Sequence, residues 1–185
     1  MSGTTARRTR GLQTGPRSTQ VIENVRAATL AELARAGFGG LTIEGVARAA
    51  GVNRTTIYRR WPTKAALLAA VVEPLLEQYD HDPRTGSVRG DVLAIMLMIR
   101  DNAARPEGRA LVEAVRAGGT GELGDLLAVV TSRAMAPFRR AGVSDLIAHL
   151  AFAGVVMWDQ THDGPPGDSD CAGMLDALMP VSGGV

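Results

Sequence analysis

Between Thr42 and Lys64 the chain reads TIEGVARAAGVNRTTIYRRWPTK, a string with room for two short helices, a tight turn and the start of a third helix. Thr42 stands where an N-cap belongs, its hydroxyl placed to accept an orphan amide of the first turn. Val46, Ala47 and Ala50 put apolar or small side chains on one face of the helix that follows. Gly51 falls where the chain must leave that helix, a place that favours a residue tolerant of positive φ. Asn53 then offers a cap for a second helix. Ile57 lies on the inner face of that helix, and Ala47 is small enough to let the two helices approach closely. Pro62 ends the second helix and Thr63 caps the next. These parts agree with one another and predict a helix-turn-helix.

The outward residues of the second helix point to a partner. Arg54, Thr55, Thr56, Tyr58 and Arg59 make a poor core surface but suit a DNA groove. Arginine pairs with guanine edges, threonine methyls touch thymine, and hydroxyls reach phosphates. Lys64 falls in the first turn of the next helix, beside amides that favour anions. The charge distribution agrees. Residues 1–64 carry eleven basic and three acidic side chains, a balance of +8, whereas residues 65–185 carry nine and sixteen, a balance of −7. Such asymmetry separates a polyanion-binding part from one that avoids polyanions. A merely solvated charged face seldom coincides with a helix-turn-helix.

The stretch resembles the DNA-binding domain of the TetR (tetracycline-repressor) family. The likeness rests on Gly37, Phe38, Thr42, Ile43, Ala47, Ala50, Gly51, Val52, Tyr58, Trp61, Thr63 and Lys64. It covers roughly Thr19 to Leu68. Arg60 stands where the family often has His, and Trp61 where Phe is commoner. Both keep a basic, aromatic helix end and leave base preference open. The expected DNA contacts are Arg54, Thr55, Thr56 and Arg59 at base edges or nearby phosphates, with Thr42, Tyr58 and Lys64 holding the backbone.

The rest of the chain reads as helices, and the expected fold is all-α: a three-helix head on a helical bundle, about nine helices in total. Residues 1–18 form a basic arm with Arg7, Arg8, Arg10 and Arg17. Residues 19–64 form the DNA-binding domain, and 65–185 a domain for ligand binding and dimerisation. Apolar periodicity predicts helices over Thr19–Ala36, Thr42–Ala50, Asn53–Arg60 and Thr63–Tyr79, the last kinked or divided at Pro74. Further helices are predicted over Val88–Ala104, from Pro106 to Gly118, over Leu123–Arg140, over Asp145–Thr161 behind a Ser144 cap, and over Asp170–Met179.

Asp145–Thr161 is apolar nearly all round, and such a helix must be covered on every side. Either it is a central core helix or, with the last helix, it makes a subunit interface. The resemblance implies the second, a homodimer through the last two helices. It also implies a cavity for a small-molecule effector within the body. Candidate walls are Met96, Ile99, Leu111, Val115, Met135, Phe138, Phe152 and Met157, with Arg100, His149 and Asp159 as polar orienting groups. Residue by residue, plain core filling is the simpler account of the apolar ones.

Other chemistries find little support. His81, His149 and His162 lack metal-ligand spacing. Cys171 is the only cysteine, has no partner motif and fits a reducing compartment. The cluster His162, Asp163, Asp168 and Asp170 reads as a polar surface loop. No cofactor, metal or enzymatic activity is expected. The longest nearly apolar run, Leu146 to Trp158, falls short of the roughly 20 residues needed to span a bilayer. A cytoplasmic protein without membrane contact is therefore expected. The leading function is a DNA-binding regulator of transcription. The alternatives are a small-molecule-binding helical protein without gene-regulatory activity, and a helical enzyme.

Overall fold

The computed structural model describes residues 16–116 and 119–180. Nine α-helices run through them: α1 (Pro16–Gly40), α2 (Ile43–Ala50), α3 (Arg54–Tyr58), α4 (Lys64–Leu76), α5 (Val88–Ala104), α6 (Pro106–Arg116), α7 (Gly121–Arg140), α8 (Asp145–Val156) and α9 (Asp168–Leu178). No strand occurs among the described residues. The all-α expectation holds. The basic arm up to residue 15, with Arg7, Arg8 and Arg10, lies outside the described residues, as does the side chain of Arg17.

Local signals set the helix ends. Thr42 Oγ1 accepts from the Gly45 amide at 3.0 Å. Asn53 Oδ1 accepts from Thr55 at 2.8 Å, Thr63 from Ala66 at 3.1 Å, and Ser144 from Ile147 at 3.3 Å. Each oxygen satisfies an amide that has no partner inside its helix. Gly51 takes φ 66°, and Gly37 breaks α1 at φ 65°, ψ 179°.

Several boundaries differ from expectation: α1 runs Pro16–Gly40 rather than Thr19–Ala36, taking in the last residues of the expected arm, α7 begins at Gly121 rather than Leu123, and α9 runs Asp168–Leu178 rather than Asp170–Met179. α3 closes at Tyr58 rather than Arg60, because the amides of Arg60 and Trp61 both turn back onto the carbonyl of Ile57. α4 passes through Pro74 as far as Leu76 and then tightens into a 3-10 turn, Glu77–Asp80. α8 stops at Val156, and a 3-10 turn, Trp158–Gln160, takes over. The ring of His162 stacks on Trp158 there, 3.8 Å between centroids and 9° from parallel.

The helices share one apolar cluster that runs from Val25 in α1 to Leu175 in α9. α5 lies at its centre, touching α6, α7, α8 and α9. α1 packs on α2 and also on α6, so the head and the body meet along an α1–α6 seam as well as at α4.

The expected effector walls are not brought together. Met96, Ile99, Met135 and Phe138 are buried to 2% exposure or less and fill the centre of the cluster. Phe152 packs at its edge. His149 on α8 and Met157 just past its end are exposed, and His149 Nδ1 lies 2.7 Å from the Asp145 carbonyl of its own helix. Of the expected set, Arg100 and Asp159 line a cleft and the apolar walls do not. The reason is packing: apolar side chains pointing toward a shared centre close it up.

The apolar surround of α8 has two outcomes in one chain. Ala148, Ala151 and Val155 are buried. Leu146, Leu150 and Met157 are 69%, 48% and 43% exposed. With exposed Ala153 they form a stripe at helical spacing.

Candidate nucleic-acid interface

The interface is built outward from Ile57. Its side chain is fully buried against the head, with Val46 and Leu41 also at 0% exposure. Inserting that one residue fixes the rotation of α3, since a five-residue helix has little other apolar surface. Arg54, Thr55, Tyr58 and Arg59 consequently face solvent, and Thr56 is half-buried. Arg48, exposed on α2, joins the same basic head.

The flanking residues hold α3 in place. Thr42 is exposed, but its hydroxyl oxygen is committed to the α2 cap. Lys64 Nζ donates to the Gly39 carbonyl at 3.3 Å, tying the start of α4 to the end of α1. An ammonium has three hydrogens, so this tether leaves Lys64 able to meet a phosphate. Arg60 lies over the Trp61 ring at 5.9 Å and donates to Ser18 Oγ at 3.2 Å.

One pairing was invisible in the sequence. The Tyr58 hydroxyl donates to Glu44 Oε1 at 3.1 Å, joining α3 to α2 across fourteen positions. The Glu44 carboxyl is held below the usual glutamate range, first by a hydrogen bond from its own backbone, then by the Tyr58 hydroxyl, with the Arg54 charge adding to both. The same bond pushes the Tyr58 phenol up, because ionising it would set two anions side by side. Glu44 therefore aims Tyr58 along the head surface. No local periodicity signals such a contact, because the two residues meet only when α2 and α3 pack.

In the polar cluster near the C-terminus, Asp168 and Asp170 make structural contacts. Asp170 Oδ2 accepts from the Gly167 amide at 2.8 Å, and Asp168 pairs with Arg100. No group of three or more potential metal ligands occurs among the described residues. No helix among them is long and apolar enough to cross a membrane. Cys171 is buried, and that burial pushes its thiol pKa up, away from reactivity.

One cleft of about 620 Å³ opens on the α1–α6 seam. Its walls come from α1, the end of α5, α6, the end of α8 and the loop that carries Pro165 and Pro166.

Comparison with known proteins bears on the head above all. The family model described as bacterial regulatory proteins, tetR family, matches residues 25–71. An uncharacterized HTH-type transcriptional regulator of Mycobacterium tuberculosis is 38% identical over 80 residues, which is 43% of this chain and 38% of that protein. The match thus spans well under half of the relative's length. Among solved structures, the TetR family transcription regulator SCO0332 is 27% identical, with a TM-score of 0.60 over 88% of this chain and 98% of that one. The regulator FadR from Bacillus subtilis, in complex with stearoyl-CoA, is 15% identical, with a TM-score of 0.62 over 85% of this chain and 97% of that one. The matched head, the buried Ile57 and the outward arginines agree: residues 25–71 form a DNA-binding head of the kind found in the tetR family of bacterial regulatory proteins.

Proposed function

We propose that the protein is a cytoplasmic, sequence-specific DNA-binding regulator of transcription. It acts as a homodimeric repressor released from a near-palindromic operator by a small apolar ligand. The observation that carries this reading is the rotation of α3, with Ile57 buried and Arg54, Thr55, Tyr58 and Arg59 exposed. Arg54 and Arg59 then meet base edges or neighbouring phosphates, with Thr55 and Thr56 beside them, while Thr42, Tyr58 and Lys64 hold the backbone.

Dimerisation is supported by the bare stripe of Leu146, Leu150 and Ala153 on α8 with Met157 at its end. A second copy, with α9 alongside, would cover it. Twofold symmetry then presents two copies of α3 to half-sites about 34–36 Å apart, or further where the heads splay. Release follows if the ligand binds more tightly to an arrangement of heads that does not fit the operator.

A gel shift against the DNA upstream of its own gene tests the reading. A retarded, sequence-dependent band is expected from the wild type. Arg54→Ala should weaken it by about 1–3 kcal/mol and relax preference at one base position. Absence of any sequence-dependent band across low-salt conditions would overturn the regulator reading and leave the ligand-binding alternative. In the same preparation, Leu150→Arg should convert a dimer to a monomer by sedimentation. An unchanged mass would remove α8 from the interface.

A further inference from the structure

We propose that the cleft on the α1–α6 seam binds an uncharged, largely apolar small molecule, and that this seam, rather than the centre of the body, is the effector site. The effect on DNA rests on the regulator reading above, whereas the binding itself does not. The cleft holds about 620 Å³, within the range of small-molecule sites, roughly 300–1,000 Å³. Met96, Ile99, Met135 and Phe138, by contrast, are buried to 2% exposure or less and line none of this cleft.

The lining defines the ligand class. Leu33 of α1, Ala110 of α6, Val155 and Val156 of α8, and Pro165 with Pro166 supply apolar walls. The charged side chains of the lining are Arg100 and Arg109 against Glu113 and Asp159, two of each sign. All four are engaged. Arg100 pairs with Asp101 and Asp168, Arg109 donates to the Ala104 carbonyl, and Glu113 and Asp159 have partners of their own. The two signs balance, so an ionic ligand group would give up its own hydration for no net field in return. An apolar body gains the contact area without that loss. Small residues make the room: Ala34 is exposed, and the space beside Gly37, where a Cβ would project, is empty to 4 Å.

The position gives the cleft leverage. α1 belongs to the head, whereas α6 and α8 belong to the body. On the same seam Arg26 of α1 donates to the Val71 carbonyl of α4 at 3.3 Å and lies 3.8 Å from Glu107 of α6. A molecule wedged there touches both sides of the joint that sets the head angle. It therefore binds two head arrangements unequally, which is the condition for moving the equilibrium between them.

The test uses the full chain and Nile red, a neutral apolar dye, read by fluorescence titration. Saturable binding is expected. Ala34→Trp and Ala104→Trp each fill the cleft from an exposed helical position, and each should weaken binding by at least about tenfold, with far-ultraviolet circular dichroism unchanged. Leu150→Arg, on the bare α8 stripe, should leave dye binding intact, and the anionic dye anilinonaphthalene sulfonate should bind the cleft more weakly than Nile red. No saturable binding, or loss through Leu150→Arg with retention in both tryptophan variants, would overturn the site. Tighter sulfonate binding that both tryptophan variants abolish would overturn the ligand class. On DNA, Nile red should lower operator affinity of the wild type and not of Ala34→Trp. A retarded band indifferent to the dye overturns the effector role, whereas the absence of any band with cleft binding intact counts against the regulator reading instead.

Discussion

The head, α1–α3, and the body, α4–α9, are fastened by different means. In the head the ties that close the helix ends are short in sequence. Thr42 and Asn53 close helix starts two or three residues ahead of themselves, Gly51 closes a helix end, and Thr63 does the same service at the junction. The body has caps as well, at Ser87 and Ser144, but adds long-ranged ionic ties. Arg133 of α7 reaches Glu73 at 2.8 Å and Asp80 at 2.9 Å. Arg140 reaches Asp82 and the Tyr79 carbonyl, and Arg89 reaches Asp176 and the Met179 carbonyl. A cap fixes backbone geometry, whereas an arginine on a flexible stem tolerates a shift in its partner. The difference suits the proposed division between a part that presents one fixed shape to a duplex and a part that changes angle beneath it.

The largest test of this contrast is Ile57→Ala. Ile57 is fully buried, and such truncations cost about 2–5 kcal/mol. The chain's two tryptophans fall one in each part, Trp61 by the head and Trp158 in the body, so fluorotryptophan labelling reads them separately. The Trp61 transition should move to much lower denaturant while the Trp158 transition holds. Because one apolar cluster spans both parts, the contrast is at risk here: equal shifts of both signals would mean that head and body unfold as a single unit.

Next in size come two matched deletions. Thr42→Ala removes the α2 cap and should cost about 1 kcal/mol of head stability. Arg133→Ala removes a contact whose acidic partners are more than half exposed. Solvent screening limits such pairs to about 0–1 kcal/mol, and added salt should shrink the difference further. Both are measured by urea unfolding. If Arg133 proves the costlier loss, the body is the more tightly fixed of the two parts and the ranking reverses.

The same contrast explains what could be read from the sequence. Thr42, Asn53, Thr63 and Ser144 were legible as caps because a cap depends on residues two or three positions away. Val88–Ala104 was legible to the residue because an apolar stripe ran the whole length between the loop after Asp80 and Pro106. The orientation of α3 followed from Ile57 alone. The cleft was not legible. It lies where α1, α6, α8 and the loop with Pro165 fail to meet fully, and no spacing within one helix encodes a gap between several. Met96 and Phe138 carried the right chemistry for a pocket and were packed shut by their neighbours. The end of α8 was missed for a related reason: its apolar pattern continues past Val156, while the chain tightens around the Trp158–His162 stack.

The smallest effect sits where the head's local order gives way to a contact between helices. Tyr58→Phe deletes the hydroxyl that donates to Glu44 and leaves the ring in place. The carboxyl of Glu44 is held down first by its own backbone hydrogen bond and only then by Tyr58. Its titration midpoint should therefore rise part of the way toward the ordinary glutamate range and stop short of it, as followed by the carboxyl carbon shift in NMR. A group with a depressed folded pKa lends its stability above the unfolded pKa and loses it as pH falls through the folded value. Wild type and variant should accordingly differ near neutrality and converge in acid. An unmoved midpoint would mean that the Tyr58 hydroxyl spends its time elsewhere in solution. The head would then be fixed by its caps and by Ile57 alone, with the phenol free to turn toward a phosphate before any DNA arrives.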